Sequence, residues 1–153
     1  MRLWIMRHGE AQAHAPSDAL RPLSARGKAQ ALESAAQLRG VPLAGILASP
    51  YTRAQQTALL VQQALGGALP LHTVPWLTPD TDPGATLCGL EGQALGEWLL
   101  VSHQPLVGCL LGLLERGEPV ALHPMNTASL AELDGEGALA GLMTLRNLFH
   151  PQQ

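Results

Sequence analysis

Three short apolar runs, each stopping abruptly at polar residues, constrain the fold of this chain more than any other feature. They are Leu3-Trp4-Ile5-Met6 before Arg7-His8-Gly9-Glu10, Gly45-Ile46-Leu47-Ala48 before Ser49-Pro50, and Trp98-Leu99-Leu100-Val101 before Ser102-His103-Gln104-Pro105. Runs of this length bounded by Gly or Pro fit fully buried strands, whereas a helix needs a longer periodic run. After the second and third runs a helix opens directly. Strand, polar corner and helix in succession describe an open, mostly parallel α/β sheet, in which ligands bind beyond the carboxyl ends of the strands.

The intervening segments fill in that plan. Residues 11–22 show neither helical nor strand periodicity and read as a loop over the end of the first strand, in which Asp18 and Arg21 can pair. Ser24 suits the cap of a helix that carries Leu32, Ala35, Ala36 and Leu38 and ends near Gly40 and Pro42. Gly27, a poor helix former in its first turn, predicts a close approach to another segment. Ser49 and Pro50 read as the cap and first residue of a second helix ending at Gly66-Gly67, with Arg53 in its first turn. Leu71 to Leu77 reads as a weaker strand, and residues 78–92 as a surface connection holding Asp80, Asp82 and Glu91. The helix expected over 105–115 is apolar almost all round, so it should be buried between layers or against a partner. Ser129 to Gly135 and Leu139 to Leu145 alternate as an edge hairpin. His14, His123 and His150 are expected on the surface.

Composition limits the classes of function. With 153 residues, 46% hydrophobic and 14% charged, one domain spanning residues 1–153 is expected, without internal repeat or linker. A net charge of -3 provides no general footprint for nucleic acid or an anionic membrane. Cys88 and Cys109 are too few and too far apart for a disulfide framework or a paired-cysteine zinc motif. The chain opens without a basic-then-apolar leader, and its longest apolar runs fall short of a membrane span of roughly 18 residues. A cytoplasmic protein is expected, with no nucleic acid or membrane partner. The apolar helix does not decide between monomer and dimer; a monomer is the favoured expectation.

The strand ends supply Arg7, His8, Arg53 and His103. Two guanidiniums and two imidazoles, backed by helix N-termini, make a pocket for a compact dianion such as phosphate. Arg53 opposes the dipole of its own helix, a conflict that a bound anion removes and that a side chain swung into water also removes. A metal held by His8 and His103 is the competing reading. Nearby arginines would repel a divalent cation, and no carboxylate or thiolate has useful ligand spacing, so no metal and no cofactor are expected.

Arg7-His8-Gly9-Glu10 resembles the RHG signature of the histidine phosphatase superfamily, also called phosphoglycerate mutase-like. The resemblance extends over Arg21-Pro22-Leu23-Ser24 with Gly27 and Gln30, Ser49-Pro50 with Arg53-Ala54 and Thr57-Ala58, and Ser102-His103, which together span most of the chain. Its short length, with the stretches Ser17-Asp18 to Leu23 and Ser102 to Gly108, is similar to the small SixA-type phosphohistidine phosphatases. This resemblance implies a three-layer α/β/α sandwich with a mostly parallel central sheet. It further implies that His8 takes the phosphoryl group while Arg7, Arg53 and His103 hold its oxygens, and that no metal is required.

One departure concerns the acid. Larger relatives place an acidic general acid in an insertion before the second histidine, and none is matched here; Asp80, Asp82 and Glu91 are unranked candidates. A phosphohistidine on a signalling or phosphotransfer protein needs less acid assistance than a phosphate ester, since a protonated imidazole is already a reasonable leaving group. The expected activity is therefore removal of phosphate from such a protein. The alternatives are a small-molecule phosphomonoesterase using the same four residues and a module that binds phosphorylated partners without turning them over.

Overall fold

A computed structural model describes all 153 residues. Six strands form one mixed sheet in the order β3-β2-β4-β1-β5-β6: β1 Arg2–Arg7, β2 Leu43–Ala48, β3 Leu71–Thr73, β4 Glu97–Ser102, β5 Leu130–Gly135 and β6 Met143–Phe149. Strands β1 to β4 run parallel, and β5 and β6 join antiparallel at one side. The helices are α1 Ala25–Ala35, α2 Thr52–Ala64, α3 Pro83–Glu91 and α4 Leu106–Arg116.

The apolar strand runs are continuous because both faces are covered. Successive side chains of a strand point to opposite faces. Leu3, Ile5, Trp98 and Leu100 pack with Leu87, Leu90, Leu106 and Leu110 of α3 and α4. Trp4, Met6, Leu99 and Val101 pack with Ala35, Ala54, Ala58 and Val61 of α1 and α2. Small residues on α1 and α2 let these helices lie close to the sheet. The result is the expected three-layer α/β/α sandwich, and no helix is long and apolar enough to cross a membrane. The apolar helix α4 finds its cover within the chain: Leu106, Val107, Leu110, Leu111 and Leu114 are all buried, and Gly112 sits against the Val120 carbonyl.

Several boundaries differ from the sequence reading. Strand β3 stops at Thr73, and Pro75–Leu77 forms a single 3-10 turn instead of continuing the strand. Residues 83–91, expected as loop, form α3: the Asp82 carboxylate accepts from Gly84 N–H at 3.0 Å, and Pro83 supplies the preset first residue. Gly84 and Gly89 masked its periodicity, and Gly89 is required because the Trp76 ring lies directly on it. The last strand begins at Met143, four residues later than expected, because Gly141 takes a left-handed φ of 75° and its N–H is tied to Leu113 O of α4. Helix α2 starts at Thr52, with Tyr51 as cap, so Ser49 and Pro50 lie in the corner before it.

Candidate active site

The carboxyl ends of β1, β2 and β4 place the functional side chains. At the end of β1, His8 N–H donates to Ser102 O at 2.9 Å and His8 O accepts from Ala128 N–H at 2.9 Å, which fixes the backbone on both sides. Ala128 is buried in a left-handed conformation with φ 57°, the only non-glycine residue with positive φ, and its carbonyl accepts from the Ser34 hydroxyl at 2.6 Å. Backbone strain of this kind is held where surrounding contacts over-determine it.

Glycines bring the next segment close. A Cβ on Gly9 would run into the Gly27 carbonyl, and one on Gly27 into the Glu10 carbonyl. The close approach predicted for Gly27 is thus to the turn that follows His8. The Thr57 hydroxyl then couples this turn to α2: it accepts from Gly9 N–H at 3.1 Å and donates to Arg53 O at 2.8 Å.

All four residues singled out in the sequence converge. His8 Nδ1 lies 2.6 Å from Gly9 O, and a carbonyl can only accept, so Nδ1 carries the proton. The lone pair is therefore on Nε2, where Arg53 Nε–H donates to it at 3.2 Å. The His8 and His103 rings meet edge to face with centroids 5.0 Å apart. Arg7 donates through Nη1 to Met125 O at 3.0 Å, leaving its buried Nε without a partner. His103 is 1% exposed; its Nε2 lies 2.7 Å from Ser49 Oγ and its Nδ1 is buried and unpartnered.

Arg53 is buried rather than swung into water. Its Nη1 donates to Asp18 O at 2.7 Å and its Nη2 to Asp18 Oδ2 at 3.1 Å, while Asp18 Oδ1 accepts from Arg21 Nη1 at 3.0 Å. The Tyr51 ring packs 5.1 Å from the Arg53 guanidinium carbon and 5.0 Å from the His103 ring. The expected Asp18–Arg21 pair is present, but it is half of a clamp on Arg53. Sequence reasoning missed Asp18 in this role, as it missed Ser49, Thr57 and Tyr51. Only the position of Asp18 in the loop over the first strand hinted at it.

Burial and charge keep both imidazoles neutral. Burial pushes the His8 pKa down to about 4, aided by Arg53, Arg7 and Arg21 and opposed by the bond to Gly9 O. Burial, then His8 and Arg53, push that of His103 down to about 3. Asp18 is held below the usual carboxylate range, chiefly by its bonds to Arg21 and Arg53. Of the three acidic candidates, Asp80 accepts from the Thr78 hydroxyl, Asp82 caps α3, and Glu91 lines a cavity at the amino ends of β1 and β4. None of the three is bonded to the four site residues. No group of three or more His, Cys, Asp or Glu side chains is placed to hold a metal ion.

Residues 3–78 match the model of the histidine phosphatase superfamily (branch 1). The phosphohistidine phosphatase SixA of Escherichia coli K12 is 35% identical over 142 residues, covering 90% of this chain and 88% of that protein. The chain belongs to the histidine phosphatase superfamily. It is accordingly a phosphatase. A structure of the protein histidine phosphatase SixA complexed with tungstate, 34% identical, superposes with a TM-score of 0.86 over 99% of this chain and 97% of that one. Similarity within the superfamily reaches further: the adenosylcobalamin/alpha-ribazole phosphatase of Escherichia coli K12 is 42% identical over 115 residues, 70% of this chain but 47% of that protein.

Proposed function

We propose that this histidine phosphatase removes the phosphoryl group from a phosphohistidine on a signalling or phosphotransfer protein, with residues 1–153 acting as one cytoplasmic, monomeric domain. The observation that carries the substrate class is the state of Asp18. It is the one carboxylate bonded to any of the four site residues, through Arg53, and Arg53 and Arg21 together hold it ionised. An ester would leave as an alkoxide and needs a proton from such a group. A phosphoimidazole protonated on its second nitrogen leaves as neutral imidazole and does not.

In the proposed reaction His8 Nε2 attacks phosphorus in line. The N–P bond to His8 forms as the substrate N–P bond breaks, and the substrate imidazole departs with the electron pair. Water then attacks the phosphohistidine on His8, its N–P bond breaks, and inorganic phosphate leaves. Charge on the equatorial oxygens is met by Arg7, Arg53 and His103, so positioning and electrostatics supply most of the catalysis. The buried, unpartnered Arg7 Nε and His103 Nδ1 support this assignment, because buried polar atoms are rarely left unsatisfied outside functional sites. The similarity to phosphohistidine phosphatases over nine-tenths of the chain supports the same reading.

The test offers a histidine-phosphorylated transfer domain beside a panel of small phosphate esters, with wild type and His8→Ala compared. Release from the phosphohistidine, lost in the variant, is the expected result. Turnover of small esters in place of the phosphoprotein would instead support a metabolite phosphatase, and binding without turnover a recognition module. Substantial activity in a folded His8→Ala protein would remove His8 from its assigned role.

A further inference from the structure

The hydrogen-bond inventory around His103 determines more than its proximity to His8. Ser49 is fully buried, and its Oγ has two neighbours: Tyr51 N–H, which donates to it at 3.2 Å, and His103 Nε2 at 2.7 Å. Ser49 has one hydroxyl hydrogen, and His103 Nε2 is the acceptor within reach of it. If Nε2 carried the imidazole proton, that hydroxyl hydrogen would be buried without an acceptor, and Nδ1 would be a buried lone pair without a donor. The hydroxyl defect vanishes when Ser49 O–H donates to Nε2 and the proton sits on Nδ1, whereas Nδ1 has no protein partner in either form. The buried hydroxyl hydrogen left without an acceptor costs on the order of 1–3 kcal/mol, and that difference decides between the tautomers.

We infer that Ser49 is a positioning residue that fixes the His103 ring and its tautomer, so that a neutral His103 presents an Nδ1–H donor to a phosphoryl oxygen. His8 is set the same way by a different partner, the Gly9 carbonyl, and the consequences are opposite. Proton on Nδ1 leaves the His8 lone pair on Nε2, the atom that attacks in the proposed reaction, whereas on His103 it provides a donor for the oxygen under attack. One tautomer on two rings thus yields a nucleophile and an electrophilic partner without charging either. The position of Ser49 in the corner, instead of at a helix cap, follows from this bond: Tyr51 caps α2, and the Ser49 hydroxyl is committed to His103.

The tautomer is read on resting protein, and only its kinetic consequence rests on the proposed phosphatase mechanism, so the two ideas fail separately. Protein labelled with nitrogen-15 histidine is measured by long-range proton–nitrogen correlation, with His103→Gln and His8→Ala used to assign the two rings. His103 should show a protonated Nδ1 and an unprotonated Nε2 in the wild type. Ser49→Ala should move His103 toward the Nε2–H form and weaken vanadate binding about tenfold or more, in line with loss of one hydrogen bond to a charged group. Ser49→Thr, which keeps the hydroxyl, should restore both readouts. Finding Nε2–H in the wild type overturns the inference even if no Ser49 variant folds. So does a folded Ser49→Ala protein with unchanged tautomer and vanadate affinity.

Discussion

Arg53 Nε–H donates to His8 Nε2 at 3.2 Å, so the buried cation is held against the unprotonated nitrogen of the imidazole. The same guanidinium grips Asp18 with its other two nitrogens. It therefore has one face toward the proposed nucleophile and one toward the loop over β1.

The first prediction concerns that fork. Arg53→Ala should lower kcat by about 10²–10³, the typical cost of removing one donor to developing negative charge. Arg53→Lys should recover only part of the loss, because an ammonium keeps the charge but lacks the planar set of donors. Titration with vanadate checks the binding component; affinity unchanged from wild type in Arg53→Ala would place this side chain outside the anion site.

The second prediction separates the Asp18 clamp from overall stability. The Asp18 side chain is 60% exposed, so Asp18→Ala should change unfolding free energy by no more than about 1 kcal/mol. Phosphatase activity should fall several-fold, since Arg53 loses the carboxylate bond at Nη2 and keeps only the bond from Nη1 to the residue-18 backbone carbonyl. In an Arg53→Ala background the same substitution should have no further effect on activity, as double-mutant cycles require of residues acting through one another. Additive losses would show that Asp18 acts independently of Arg53.

How much of this was legible in the sequence depended on how local the signal was. The three buried strands were readable because both sheet faces are covered, and the strand ends therefore identified Arg7, His8 and His103. Arg53 was visible as an odd charge in a helix start, but its direction was not, since Asp18 lies 35 residues away in sequence. Helix α3 had an Asp82-Pro83 start signal that two glycines outweighed. Ser49 looked like a helix cap because the same hydroxyl chemistry serves both uses. Only the fold shows that His103, 54 residues further on, takes the bond.

The third prediction tests the close packing beneath the site. Gly27→Ala forces a methyl against the Glu10 carbonyl, backbone against side chain in a turn already held by Gln30 Oε1, which accepts from Glu10 N–H at 3.0 Å. The expected loss is about 1–3 kcal/mol, the usual cost of overpacking, despite the better helix propensity of Ala. Denaturant unfolding measures it. Activity should fall as well, because Gly9 packs on the Gly27 carbonyl and directly follows His8. An unchanged or raised midpoint would show that the turn yields at little cost.

The last prediction follows from the two neutral imidazoles. In the unfolded chain a histidine titrates near 6.5, whereas burial in the folded protein pushes His8 down to about 4 and His103 down to about 3. Below 6.5 the unfolded chain therefore binds more protons than the folded one, and stability falls as pH is lowered. Their contribution is fully present above the unfolded value and is lost as pH falls through the window from 6.5 to about 4 and below. Denaturant midpoints at pH 7.5, 6 and 5 should drop progressively, with the slope reduced in His103→Gln, which removes one of the two proton sites. Carboxylate protonation cannot mimic this difference, because the glutamine variant keeps every acidic group. An identical slope in wild type and His103→Gln would mean that folding leaves the proton affinity of His103 unchanged. The neutral donor assigned to this residue would then lose its electrostatic basis.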